Sequence, residues 1–431
     1  MKFLPGVKKG LQLSLGLTLV MQIVPGIAAC QAKRPVTGMK APAVTEVTAA
    51  RQYEIKPAEL PKPDESESAT RASNIIDQPE NATFNLPKGF KVNVFAEGEF
   101  SYPRMMALGP NGDVFLADSY GGKIIVLRDS NKDGVAEERF TFAEDLDRPF
   151  GMAFYQDWLY VAKTDGVIRF AYKSGQTKAA GDPEKLIELT AGGYNQHWTR
   201  NIIFSPDGAK MFVSVGSASN ASAGEEPVRA AISVADPDGK NFHVFASGLR
   251  NAVGLAFNPI SKELWTAVNE RDGLGDDLVP DFVTSVKDGA FYGWPYSYIG
   301  QNEEPRLKGQ HPELVKKAIV PDVLVASHSA ALGMVFYQGK MFPPEYNGDA
   351  FVALHGSWNR QKLTGYKIIR IRFKDGKLIK NGYEDFMTGW LPDENGNEVW
   401  GRPVGLLVAA DGSLLVCDDG AKKIWRVSFG K

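Results

Sequence analysis

"MALGPNGDVFLAD", residues 106–118, is an apolar run, an Asn-Gly turn and a second apolar run. Turns of this kind join neighbouring antiparallel strands. The arrangement recurs as "MAFYQDWLYVAK" from Met152, "IIFSPDGAKMFVSVG" from Ile202 and "LAFNPISKELWTAVN" from Leu255. It returns as "MVFYQGKMFPPEYNGDAFVALHG" from Met334 and "LLVAADGSLLVCDDG" from Leu406. Third strands follow several copies, as in "GGKIIVLRD", "DGVIRFAY", "TGYKIIRIRF" and "AKKIWRVSFG". Six copies at intervals of roughly 45 to 80 residues predict an all-β fold, a six-bladed β-propeller of four-stranded blades over residues 83–431. Sandwich strands would not keep one turn signature at this spacing, and the rungs of a β-helix are far shorter.

A basic residue stands near the start of each copy: Arg104, Arg148, Arg200, Arg250, His328 and Arg402, with His197 also ahead of the third. The loops entering the innermost strands of a propeller converge on one mouth of its channel. Six cations there, on a chain of net charge −2, repel one another unless an anion lies among them. Arginine forks suit carboxylate or phosphate groups, so the mouth is expected to hold a polyanionic small molecule. The plainer alternative is that each arginine pairs locally with an acidic neighbour such as Asp147. Proline and glycine accompany the arginine in "RPFGMAF" (148–154) and "RPVGLLV" (402–408), and the glycines at 151, 254, 333 and 405 are expected to shape narrow inner turns.

His197 in "YNQHWTRNIIF" is one of five histidines. Beside cations its protonated form is disfavoured, which leaves a neutral imidazole fit to act as a general base. The acidic loop "NERDGLGDDLVPD" (269–281) offers Glu270, Asp272, Asp276, Asp277 and free carbonyls, hard oxygen ligands suited to calcium. "DSNKDG" (129–134) opens like a calcium loop, but Phe140 stands where the closing Glu belongs. Asp129, Asn131 and Asp133 therefore read as an Asx-rich turn or as a peripheral calcium site. "LHGSWNR" contributes His355, Trp358 and Arg360, and Trp400 lies beside Arg402; aromatic groups next to cations suit a flat anionic ring.

Taken together, "HWTRN", "GLRNAVGLAFNP", "NERDGLGDDLVPD" with "YGWP", "HGSWNR" and "GRPVGLLV" resemble the sorbosone dehydrogenase family, related to the soluble pyrroloquinoline quinone (PQQ)-dependent glucose and aldose dehydrogenases. The resemblance runs from about Phe90 to the C-terminus. It implies a six-bladed propeller that oxidises an aldose or related sugar with PQQ and calcium. His197 would be the base and Arg250 the catalytic cation near the reacting oxygens. Arg250, Asn251 and Tyr292 would contact the cofactor. Arg402, with Arg360 and His355, would bind its carboxylates, joining the cations Arg104, Arg148 and Arg200. The calcium would take carbonyls of Asp272 and Gly273, with Glu270 and Asp277 as nearby carboxylates. The loop departs from the glucose enzymes, which carry Gly-Pro where Asp272-Gly273 stands here. Without a C-x-x-C-H haem motif, electrons are expected to leave to an external acceptor, a quinone or a separate cytochrome.

Two other readings compete. A calcium-dependent propeller lactonase or hydrolase would need acidic side chains converging on the axis. A non-catalytic cell-surface propeller would bind an anionic ligand or glycan. Nucleic acid has no support from a nearly neutral chain.

The N-terminus reads as a lipoprotein signal over residues 1–29: Lys2, Lys8 and Lys9, an apolar run, then "IAAC", which resembles the bacterial lipobox ending at a lipidated Cys30. That places the protein in the bacterial cell envelope, anchored by lipid to the membrane, with an outer-membrane, periplasm-facing address favoured by Gln31. Residues 30–82 are rich in Ala, Pro, Ser and Thr and read as a flexible linker. Cys417 is then left without a disulfide partner and reads as a small buried strand residue.

Overall fold

A computed structural model describes residues 41–191 and 197–430. Six antiparallel sheets form a six-bladed β-propeller. Their innermost strands are Pro103–Leu108, Met152–Tyr155, Arg200–Phe204, Ala252–Phe257, Ala331–Phe336 and Pro403–Val408, one in each quoted repeat. The second strand is buried along its whole length in five blades: Val114–Asp118, Met211–Val215, Leu264–Val268, Ala350–Leu354 and Leu414–Asp418. Adjacent blades cover both of its faces, so these segments read as continuous apolar runs and not as an alternation. The long interval in the fourth repeat is an excursion between Asp281–Ser285 and its outer partner Val323–Val325 that includes the short helix Pro312–Val315.

The ring closes by pairing its ends. Phe90–Glu97 forms the outer strand of the last blade, antiparallel to Lys423–Phe429. Beneath this closure Asp418 is fully buried and accepts four hydrogen bonds, from Trp390 Nε1 (2.7 Å), Trp425 Nε1 (2.9 Å), Arg402 N (2.7 Å) and Ala421 N (2.8 Å). Trp400, expected beside the ligand, lies in this core instead and donates Nε1 to Gly389 O at 2.8 Å. Cys417 is buried and free, as its strand setting predicted.

The glycines of the repeats do a different job from the one expected. They stand at or beside the innermost strands, and a side chain there would strike the next blade. A Cβ on Gly254 would lie 2.4 Å from Leu332 O, on Gly333 2.3 Å from Val404 O, and on Gly405 2.2 Å from Arg104 O. Close approach of neighbouring backbones around the channel, and not turn formation, explains the spacing of proline, glycine and strand.

The linker expectation fails for residues 41–82. Ala43–Val47 pairs in parallel with Thr83–Pro87, Gln52–Glu54 adds a fifth strand to blade five, and Asn74–Ile75 pairs with Glu398–Val399. These short pairings follow from contacts with distant strands, which local composition does not reveal. The signal segment and Cys30 lie outside the described residues. No helix among the described residues is long and apolar enough to cross a membrane.

Candidate active site

Two clusters of the expected residues form where the loops before the innermost strands meet those after the second strands. Main-chain bonds set this register: Ser119 N to Tyr102 O (3.0 Å), Thr164 N to Asp147 O (3.0 Å), Asn269 N to Asn251 O (3.0 Å), His355 N to Ala330 O (3.0 Å) and Asp419 N to Arg402 O (3.2 Å).

The first cluster joins blades three and four around His197, Arg250, Asn251, Glu270 and Asp272. His197 is buried, and its Nδ1 lies 2.9 Å from Ser217 O. A carbonyl only accepts, so Nδ1 carries the proton, and Nε2 of the neutral ring is a lone-pair acceptor. Burial first, and then the Arg250 charge, hold this imidazole well below its ordinary range. Gly216 lets the ring sit close, since a Cβ there would meet Asn251 Oδ1 at 2.3 Å and His197 Cβ at 2.6 Å. Asn251 Oδ1 is buried with no partner among the described residues.

Arg250 donates to Asn220 O (3.0 Å), Asn220 Oδ1 (3.0 Å) and Glu270 O (2.7 Å), with Asp272 Oδ2 at 3.4 Å. Asn220 is the organising residue here. Its side chain accepts from Asp272 N (2.9 Å) and donates to Asp272 O (2.8 Å), while its carbonyl accepts Trp294 Nε1 (2.9 Å). Burial raises the Asp272 carboxyl, but the His328 hydrogen bond and the Arg250 charge outweigh it and keep the group below its usual range. Asn359 Nδ2 reaches the same carboxylate at 2.7 Å. Burial pushes Glu270 up to about 7 and Asp281 to about 6.

The second cluster centres on Asp419, which accepts from Arg104 and lies 2.9 Å from His355 Nε2. Burial, then Arg402, lower His355 to about 4, so the ring is neutral and donates Nε2–H to an ionised carboxylate. Among the described residues the Arg402 guanidinium hydrogen-bonds only carbonyls, those of His355 (3.3 Å) and Gly356 (3.1 Å). Trp198 bridges the clusters: it follows His197, and the guanidinium carbons of Arg104 and Arg148 lie 5.5 and 5.8 Å from its ring.

Several expectations are corrected. Arg200 is the first residue of its strand and turns inward, donating to His197 O (2.8 Å) and Thr199 O (3.1 Å); burial lowers it to about 9. It holds the histidine segment, and its side chain is fully buried. Tyr292 is a core residue whose hydroxyl donates to Ser285 O at 2.6 Å. Trp294, two residues further along the same loop, is the aromatic side chain there that reaches the first cluster, through Asn220 O. Arg360 is paired with Asp277, whose side chain is 63% exposed, and donates to Ser327 O at 3.3 Å, which places both on the outer side of the loop from Arg250's partners. Glu270, Asp272 and Asp277 do not bring three ligand atoms together; among the described residues only Asp129, Asp133 and Glu137 do so, within 4.8 Å. In that loop the third carboxylate is Glu137, three residues ahead of Phe140, where the EF-hand spacing requires it.

The cation ring is likewise compensated in part. Arg104, Arg148 and Arg250 each lie on a carboxylate, of Asp419, Asp147 and Asp272 respectively. Pairing with a sequence neighbour accounts for Arg148 alone; Arg250 and Arg104 are compensated by carboxylates 22 and 315 positions away, while the Arg402 side chain hydrogen-bonds no carboxylate among the described residues. Asn220, Asn359 and Asp419 were not singled out from the sequence. Asn220 lies in the Gly/Ser-rich "GSASNASAG", which carries no periodic signal, whereas Asp419 follows a predicted strand and was legible as a residue at the mouth.

A six-bladed propeller with a neutral, buried histidine beside an arginine–carboxylate network is the scaffold of a polar ligand site with a built-in base. The chain belongs to the TrAA12-like family, whose model matches residues 84–285 and 309–429. An uncharacterized protein of Borreliella burgdorferi is 28% identical over 81% of this chain and 92% of its own length. A pyrroloquinoline quinone-dependent pyranose dehydrogenase of Coprinopsis cinerea is 24% identical over 80% of this chain, which spans only 54% of that protein. A calcium structure of the Trichoderma reesei Carbohydrate-Active Enzymes Family AA12 protein superposes with a TM-score of 0.71 at 18% identity, covering 83% of this chain and all of that one.

Proposed function

We propose that the protein is a PQQ-dependent sugar dehydrogenase that oxidises the hydroxyl of an aldose or related sugar, of the kind the sorbosone dehydrogenase resemblance implies. The observation that carries this reading is His197: Nδ1 is committed to Ser217 O, and burial and Arg250 keep the ring neutral. Its Nε2 can therefore take the hydroxyl proton while the hydride leaves carbon. When bound, PQQ supplies an electrophilic quinone that accepts the hydride, strengthened by calcium.

The residues present fit such a group. Arg402 has donors committed only to carbonyls, and Arg250 and the unpartnered Asn251 Oδ1 lie beside His197. Arg250, Asn251 and Arg402, with Arg148 and Arg104 further round the mouth, would hold the cofactor. Calcium would draw on the carbonyls of Asp272 and Gly273 with the Glu270 carboxylate nearby, since both Asp272 carboxylate oxygens are already engaged by Arg250, His328 and Asn359. Arg250 would steady charge on the reacting oxygens, and Arg200 would keep His197 in place. Electrons would pass to an external quinone or cytochrome, from an enzyme held at the envelope by lipid on Cys30.

The test is a titration of chelator-stripped protein with PQQ, with and without calcium, followed by a panel of aldoses. Calcium-dependent binding with bleaching of the quinone by one sugar class, and dye reduction, is expected. Absence of PQQ binding would overturn the reading.

A further inference from the structure

Residues 64–71, in a stretch whose composition reads as a tether, lie across the loops of the candidate active site. Asp64 N donates to Leu274 O at 2.8 Å. Ser66 Oγ accepts from Asp276 N (2.8 Å) and Ser68 Oγ from Gly275 N (2.9 Å). Two serine hydroxyls, at i and i+2, thus meet two consecutive amides. Lys62 N donates to the Glu65 carboxylate at 2.8 Å, which fixes the turn just before Ser66. Contact is direct at Gly275, whose φ is +121°: a Cβ there would lie 2.9 Å from Ser66 Oγ and 3.1 Å from Ser66 O. At its far end Arg71 N donates to Trp358 O (2.8 Å), and the guanidinium reaches Gln361 O (2.5 Å) and Asn395 O (2.6 Å).

Both loops gripped in this way lead to Asp272. Gly275 O lies 3.0 Å from His328 Nε2, and His328 Nδ1 lies 3.3 Å from Asp272 Oδ1. From the other side Asn359, between Trp358 and Gln361, donates to the same oxygen at 2.7 Å. Asp272 in turn meets Arg250 at 3.4 Å. The loops are also tied to each other, by Gln361 N to Asp276 Oδ1 at 2.7 Å.

We propose that residues 64–71 form a strap belonging to the active site, in which Ser66 and Ser68 are positioning residues that hold Gly275 and Asp276 and, through them, His328 and Asp272. This rests on reading the Arg250–Asp272 cluster as the cofactor site. The strap supplies hydroxyl acceptors to amides of an irregular, glycine-rich loop that has no ladder to satisfy them. It also ties the chain leading from the N-terminus to the loop that carries the chemistry.

The test compares the full chain with its Ser66→Ala/Ser68→Ala and Ser66→Thr/Ser68→Thr variants by amide hydrogen exchange and PQQ titration in calcium. In the alanine variant, exchange at Gly275 and Asp276 should quicken about tenfold or more. Peptides containing Asp272 and His328 should also quicken, while blades two and three stay unchanged, and the PQQ Kd should rise about fivefold or more. The threonine variant, which keeps the hydroxyls, should restore both readouts. Unchanged exchange at Gly275 and Asp276 would overturn the strap. Faster exchange there without change at Asp272 and His328 would overturn its positioning role. If the unaltered protein binds no PQQ, the cofactor reading falls, and the exchange comparison still decides the strap.

Discussion

His197 owes its chemistry to where it is buried, not to an unusual partner. Because its ionisation lies well below the ordinary 6.5, the base form persists into mildly acidic solution. The sign follows directly: kcat/KM for the proposed oxidation should stay level as pH falls through 6.5 and decline only at more acidic values. A break at 6.5 in the pH profile would assign the proton to another group. His197→Gln should bind PQQ as before but lose turnover by about 10²–10⁴-fold, the usual contribution of general base catalysis. Asn220 is a second point of leverage, because one amide pairs with both the N–H and C=O of Asp272. Asn220→Ala should weaken calcium-dependent PQQ affinity by about 10–100-fold, as loss of a supporting hydrogen bond does at other metal sites, read by the same titration. His197 could be recognised from the sequence because histidines are few and this one stands beside an arginine. Asn220 could not, since its role arises only when two blades bring residues 220 and 272 together.

Each blade repeats an apolar strand, a turn and a second apolar strand, and that period survives in the sequence because every blade packs between two others of the same kind. Register within the repeat is less visible. Arg104 and Arg200 lie inside their strands while Arg148, Arg250 and Arg402 precede theirs, so residues that look equivalent point in different directions. The glycines show the same limit: their spacing is plain, but the reason for it is the backbone of the next blade. Gly405→Ala, whose Cβ would fall 2.2 Å from Arg104 O, should cost about 1–3 kcal/mol in urea unfolding, as overpacking does. Asp418→Ala would leave two indole and two backbone donors without their acceptor. It should cost about 3 kcal/mol or more in the same assay, and Asp418→Asn less, since the amide oxygen still accepts.

Closure of the ring and most of the course of the N-terminal segment depend on partners hundreds of residues away. Phe90–Glu97 finds Lys423–Phe429, Gln52–Glu54 and Asn74–Ile75 find Gly382–Met387 and Glu398–Val399, and only Ala43–Val47 has its partner, Thr83–Pro87, as near as 40 residues. A chain beginning at residue 83 should therefore still form the propeller yet melt several degrees below the longer one, by about 2–4 °C for each kcal/mol lost. Equal melting temperatures in calorimetry would mean that these pairings add nothing to the fold. Ala/Pro/Ser/Thr-rich composition reads as linker because it lacks a hydrophobic face. It docks here through backbone and hydroxyl hydrogen bonds and through scattered apolar side chains, Val44, Tyr53, Ile55, Leu60 and Ile76, whose spacing has no period.

The fold class, the number of blades, the candidate base and the gathering of basic residues at the mouth all follow from local features: strand periodicity, turn chemistry and residue type. Which arginines are neutralised by Asp147, Asp272 or Asp419, and which aromatic residues lie against the two clusters, were decided only when the blades closed. Charge compensation and hydrogen bonding act over a few ångströms in space, and in a ring of six blades those ångströms join residues 30 to more than 300 positions apart.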